Sequence, residues 1–236
     1  MKHISKYIFS IVLIMCCLNT FSQEKKQDSL QAKTERYGLR FGIDLYKIGK
    51  SFADKNYKGI EIVGDYRIAK KYFLAAEIGT ESKTDQDKLL NFSTNGTYLK
   101  AGFDYNAHEN WLDLENMIYF GVRYSASTFS QKINSYTVYN QDHYFDAAPP
   151  IMANQKFDGL TAQWLEVVFG LKTRVINNIF VGFSLRTNML IVNTKPDNFD
   201  NLYIPGFNST YDGNFGVGFN YTVSYLLPFY KKRTQK

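Results

Sequence analysis

The segment from Phe215 to Tyr230, FGVGFNYTVSYLLPFY, carries large apolar or aromatic residues at 215, 217, 219, 221, 223, 225, 227 and 229. Small or neutral polar residues fill the positions between them from Gly216 to Ser224. Strict alternation is the signature of a strand with two unlike faces. Strands in soluble proteins average about five or six residues, whereas a tilted strand that crosses a bilayer needs about 9–11. A greasy face of this length is therefore suited to lipid.

The same period recurs along the chain. It predicts eight strands, roughly at 37–47, 58–68, 72–81, 96–106, 117–127, 161–175, 179–190 and 214–229. Short links follow the second and sixth strands, at 69–71 and 176–178, and an intermediate one follows the fourth. Long links follow the first, third, fifth and seventh, the longest spanning 128–160. Short turns at one end and long loops at the other are the pattern of an outer-membrane barrel. An even strand count also places both chain ends on the periplasmic side.

A register test supports this reading. Choosing one face of each strand by its apolar residues alone puts Tyr37, Leu39, Phe41, Ile43 and Leu45 together on the first strand. The same choice gives Ile60 and Ile62, Leu74 and Ile78, Leu99 and Phe103, Phe120 and Val122, Val167 and Phe169, and Phe183 and Leu185 on later ones. No charge stands among these residues. The opposite register holds Arg40, Asp44, Glu61, Asp65, Arg67, Glu77, Glu81, Lys100, Asp104, Arg123, Glu166, Lys172, Arg174 and Arg186. A one-residue slip moves every side chain to the other face, so a wrong assignment would scatter the charges. A lipocalin-like barrel would be greasy inside and charged outside. Here the fit is lipid outside and charge inside, because Arg or Lys facing the midplane costs about 2–4 kcal/mol. Tyrosines near strand ends, Tyr37 and Tyr66 among them, are placed for aromatic girdles.

The expected fold is all-β: an antiparallel transmembrane β-barrel of eight strands, or ten if the 128–160 loop adds a hairpin. Acids and bases balance within the inward set. Paired, they form a barrel-interior charge network, with Gly42, Gly79, Gly102, Gly121, Gly170 and Gly182 making room for the long arms.

The chain has 236 residues, and both its ends lie outside the alternating segments. Residues 1–22 have a cationic start, an apolar run over 7–18 and a Thr-Phe-Ser ending, which predicts a secretory signal cut after Ser22. Residues 23–36 read as a flexible periplasmic lead-in, 37–230 as the barrel and 231–236 as a basic tail. Both cysteines, Cys16 and Cys17, lie in the leader, so the mature chain has no disulfide framework. The net charge of +6 is accounted for by six cations in the leader and tail, which argues against nucleic acid.

The signal ending in Ser-Gln, the eight alternating strands and the final aromatic strand resemble small Gram-negative outer-membrane β-barrel proteins. More narrowly, IEIVGDYRIAKKYFLAAEIG (60–79) and KPDNFDNLYIPGFNSTYDGNFGVGFNYTVSYLLPFYKK (195–232) resemble a barrel family of that kind with no assigned activity. The terminal strand, with Gly218, Tyr221, Val223 and Phe229-Tyr230, resembles the signal read by the barrel-assembly machinery. It departs from that pattern at Gly216 and in the residues trailing the aromatic end.

Chemistry is sparse. Barrel proteases of the omptin type place acids opposite a His-Asp pair, and Asp85, Asp87, Asp142 and His143 offer that set, with His143 as base. A lipid deacylase would draw on Ser135 and His143. His108, beside Glu109, falls in a periplasmic link. Lys195 to Asn201 could hold Ca²⁺ but lacks the twelve-residue loop pattern. N-glycosylation triplets begin at Asn91, Asn95 and Asn208, and Asp28-Ser29-Leu30 resembles a short O-glycosylation acceptor. The reading favoured is non-enzymatic, without catalytic residues, cofactor or metal. It serves envelope integrity or surface contact, with outer-membrane lipid, the assembly machinery and an envelope partner meeting the 128–160 loop as partners. An outer-rim hydrolase and a narrow small-solute channel are the alternatives.

Overall fold

The computed structural model describes residues 34–87, 89–108, 114–138, 149–196, 199–209 and 213–233. Eight strands close into an antiparallel barrel: β1 (Thr34–Asp44), β2 (Tyr57–Arg67), β3 (Tyr72–Gln86), β4 (Leu90–Asn106), β5 (Met117–Tyr136), β6 (Ile151–Ile176), β7 (Ile179–Asn193) and β10 (Phe215–Arg233). Two short strands, β8 (Tyr203–Ile204) and β9 (Asn208–Ser209), pair separately as a hairpin. Each barrel strand pairs with its neighbours in sequence, and β1 closes the ring against β10. The fold is a transmembrane β-barrel, and its closed ring pairs every barrel strand with two neighbours.

Burial follows the alternation. Val122, Leu99, Phe103, Val167 and Leu185 point outward and are exposed, while their chain neighbours Arg123, Lys100, Asp104, Glu166 and Arg186 are buried. Thr34, Arg233 and the link residues 68–71, 107–108, 114–116 and 177–178 lie at one end of the barrel, here the terminal end. The opposite, loop end carries the remaining connections.

Four sequence expectations need correction. The first strand does not continue to 47: it stops at Asp44, and helix α1 (Leu45–Ala53) follows. Ile43 and Leu45 prolong the period of two, but the Asp44 carboxylate accepts from the Tyr46 N–H at 2.9 Å and caps the helix. Beyond it Leu45, Ile48 and Phe52 share one face, and Asp44, Lys47 and Ser51 share the other.

The links after the third and fifth strands are shorter than expected, because the strands themselves grow. β3 and β4 pair out to Gln86↔Asn91, and β5 and β6 to Tyr136↔Ile151. The 128–160 segment thus lengthens two existing strands, and the ring stays at eight. Tyr37 is buried, not outward. The register shifts between Tyr37 and Gly38, so this bulge puts both Tyr37 and Arg40 inside. Finally, strand pairing runs from Thr34↔Arg233, beyond the expected 37–230 limits. Arg36 anchors that extension: its backbone N–H and side chain hold the Glu115 carboxylate at 2.5–2.9 Å, and Nη1 donates to the Asn178 side chain. The expected leader at 1–22 and the rest of the lead-in up to 33 lie outside the described residues.

Candidate functional site

An eight-stranded barrel encloses a space that side chains can just fill. Here they fill it in layers. Nearest the terminal end, Arg67 pairs with Glu35 at 2.7 Å and donates to the Lys70 carbonyl. Above this, Asp65 joins Arg40, at 2.6 Å, to Lys172 on β6, which lies on the opposite wall. Arg123 donates to Asp104 at 2.7 Å on the neighbouring strand. Gly121 makes this pair fit, because a Cβ there would lie 2.2 Å from the Asp104 carboxylate.

The middle layer is a four-membered cluster. Arg186 holds Glu77 through both guanidinium ends, at 2.5 and 3.0 Å, and reaches Glu166 at 3.2 Å. Lys100 approaches Glu166 at 2.7 Å, and the Trp164 indole N–H donates to the same carboxylate at 2.8 Å. Charge-assisted, bidentate contacts of this kind are the strong ones.

Toward the loop end, Glu61 accepts from the Tyr98 hydroxyl at 2.6 Å and from the Asn220 amide at 2.5 Å. The same amide donates to Asp44 at 2.8 Å. Glu81 binds Lys47 of α1, the Tyr203 hydroxyl and the Gly206 N–H. Burial works against the Lys47 charge, but the Glu81 and Glu61 carboxylates more than offset it and hold the ammonium above the usual lysine range. Burial, reinforced by Glu81, pushes the Tyr203 phenol well up.

Above the charges sits an apolar cap. The β8–β9 hairpin inserts Ile204 and Phe207, both fully buried, among Tyr98, Phe129, Leu160, Trp164 and Leu190. Trp164 meets Phe207 edge to face at 5.7 Å. Burying a ring of this size stabilises by about 1.5–3 kcal/mol. The hairpin turns at Gly206, whose φ of +82° suits glycine and whose missing Cβ would lie 2.5 Å from the Tyr98 ring.

The inward residues expected from the sequence are all buried except Arg174, which is half-buried near the terminal end and has no ion pair among the described residues. Sequence reasoning missed three contributors. Glu35 lay in the supposed lead-in, Lys47 in a helix read as strand, and the Tyr203–Phe207 plug in a loop. Its signal was the apolar YIPGF run set between polar turn residues.

The alternative chemistry does not assemble among the described residues. Asp85, near the tip of β3, pairs with Lys83 at 3.1 Å, and Ser135 lies near the tip of β5. Asp142 and His143 lie outside the described residues. The His108 backbone N–H donates to Asn106 in the terminal-end link between β4 and β5. In the proposed calcium loop Lys195 pairs with Asp200, and Asn201 donates to Asn193 and to the Thr194 carbonyl. No group of three or more His, Cys, Asp or Glu among the described residues is arranged to hold a metal ion.

A family described as a domain of unknown function (DUF6048) matches residues 4–232. The chain belongs to the DUF6048 family. Comparison of this DUF6048 chain with curated proteins gave no match. A search of solved structures found similarity to the attachment invasion locus protein Ail of Yersinia pestis, at 10% identity and a TM-score of 0.42, covering 86% of this chain and 100% of that one.

Proposed function

We propose that this DUF6048 protein is a non-enzymatic barrel of the Gram-negative outer membrane, with a closed, charge-paired interior, serving envelope integrity or surface contact. The observation that carries the reading is the lumen itself: cross-barrel ion pairs occupy its middle, and the Tyr203–Phe207 hairpin covers them. A belt of exposed apolar side chains on every barrel strand supports membrane residence. In this reading residues 1–22 direct export, β10 is presented to the barrel-assembly machinery, and the terminal end faces the periplasm. The β5–β6 hairpin carries surface contact. Tyr136, Val138, Ile151 and Met152 are exposed at its tip and offer apolar area to an envelope partner.

The test is electrical. Wild-type protein reconstituted into planar bilayers is expected to give no steady conductance. Large, stable single-channel currents would overturn the closed-lumen reading and favour a solute channel.

A further inference from the structure

The barrel wall is interrupted at the loop end. β1 stops at Asp44, opposite Thr222, whereas β10 continues to Phe215 and β2 extends back to Tyr57. Helix α1 occupies the gap between these two strands, and it is joined to them unequally. On the β2 side the Ser51 hydroxyl accepts from the Gly59 N–H at 2.8 Å and donates toward the Gly59 carbonyl at 3.2 Å. The Tyr57 N–H meets the Asp54 carbonyl. On the β10 side, Asp44 takes the Tyr221 N–H at 3.3 Å, and beyond it the helix offers the Tyr46 ring, 4.3 Å from that of Phe219. Backbone direction repeats every second residue along a strand. The N–H and C=O of Phe219 and Val217 therefore face the gap as those of Tyr221 do.

A cavity of about 220 Å³ opens at this seam. Its lining runs from lumen residues such as Arg186 to Val217 and Phe219, which lie on the outward apolar face of β10. It therefore joins the interior to the membrane side. Among the described residues its lining contains cations and no carboxylate. Lys47, Lys100 and Arg186 are each committed to buried acids behind it. Lys50 and Lys83 are not so held. The Lys50 Nζ lies 4.1 Å over the Tyr57 ring, with no ion pair among the described residues, and the Lys83 Nζ pairs with the outer acid Asp85 at 3.1 Å and lies 5.2 Å over the Tyr203 ring. Burial keeps the Lys50 ammonium below the usual lysine range.

We propose that this seam binds a phosphate-bearing membrane lipid, its headgroup between Lys50 and Lys83 and its acyl chains along Tyr46, Val217 and Phe219. Two features select an amphiphile over a soluble anion: the cationic chamber is continuous with the lipid-facing surface, and the free β10 edge supplies N–H donors where the wall lacks a partner strand. Unpaired backbone is costly at membrane depth, and a headgroup oxygen would satisfy it.

The experiment is native mass spectrometry of the full barrel, released from mixed micelles of phosphatidylglycerol and phosphatidylcholine. Wild-type protein should retain phosphatidylglycerol in preference to phosphatidylcholine. The Lys50→Gln/Lys83→Gln double variant should lose that preference by at least about tenfold, since each surface cation contributes measurably to anionic lipid affinity. Gly218→Phe should also lose it. A Cβ at 218 meets only the Asn208 amide, at 3.5 Å, so the ring can occupy the cavity without disturbing the wall. Heat-modifiable migration on gels confirms that each variant folds. Equal retention of the two lipids by the wild type, or undiminished preference in both folded variants, would overturn the proposal. So would displacement of phosphatidylglycerol by glycerol phosphate at comparable concentration, which would mark a soluble-anion site.

Discussion

Arg186 on β7 and Glu77 on β3 join opposite walls of the barrel through two hydrogen bonds, 2.5 and 3.0 Å long. Three strands separate them either way around the ring, so the pair works as a strut across the lumen. Removing Glu77 leaves the buried Arg186 charge with Glu166 alone, which Lys100 already shares. We expect Glu77→Gln to destabilise the refolded barrel by about 3–5 kcal/mol in urea titrations. Glu77→Leu combined with Arg186→Met should recover much of that loss. Equal stabilities for wild type and Glu77→Gln would show that the strut contributes nothing.

Val122 and Val138 have nearly the same exposure, 54% and 56%, but only Val122 lies on the membrane belt. Val122→Arg should cost about 2–4 kcal/mol and lower folding yield in lipid vesicles, while Val138→Arg, at the hairpin tip, should be close to neutral. Similar yields for the two would refute the placement of the belt.

The plug has its own weak point. Gly206→Ala introduces a Cβ against the Tyr98 ring at a φ of +82°, a strain of about 1–3 kcal/mol. We expect the barrel to remain heat-modifiable while limited proteolysis begins to cut within 199–209. Unchanged protection there would mean that the hairpin tolerates the substitution in place.

Ser51→Ala removes the one side chain that, among the described residues, bonds the backbone of Gly59. Exchange of the Gly59 amide should accelerate, with that of Val63, which faces β1, unchanged. The loss should be local, about 1–3 kcal/mol for an orphaned polar group. If exchange at the two amides rose together, the whole wall rather than the helix seam would have loosened.

How much of this was legible beforehand follows from the range of each signal. Side-chain alternation is local, so the inward acids and bases, Glu61 and Arg186 included, could be assigned to a face from the chain alone. Which acid meets which base is not local: Asp65 and Lys172 touch across the lumen, and no spacing in the sequence encodes that contact. Helix α1 was hidden because Ile43 and Leu45 mimic one more step of the strand, while the deciding interaction is a cap made by Asp44. The bulge opposite Tyr37 was invisible for a related reason, since the extra residue, Phe229, belongs to β10 and shows only when the two strands pair. The plug was visible as composition, an apolar run inside a polar loop, but its destination beneath Trp164 was not.

The pairing of Thr34 with Arg233 bears on how such a barrel can be built. The ring is sealed by the two strands most distant in the chain, so its last contact carries the greatest loop-closure cost, and sheets dominated by such distant pairings form slowly. Until that contact is made, the curved sheet is a trough whose inner surface presents Arg40, Asp65 and Glu77 to whatever surrounds it. Lipid cannot solvate that surface and water cannot solvate the outer one, so neither phase is a comfortable place for a half-built intermediate. Insertion and sealing are therefore expected to proceed as one kinetic event, with lifetime in the open form, rather than final stability, limiting the yield of folded protein.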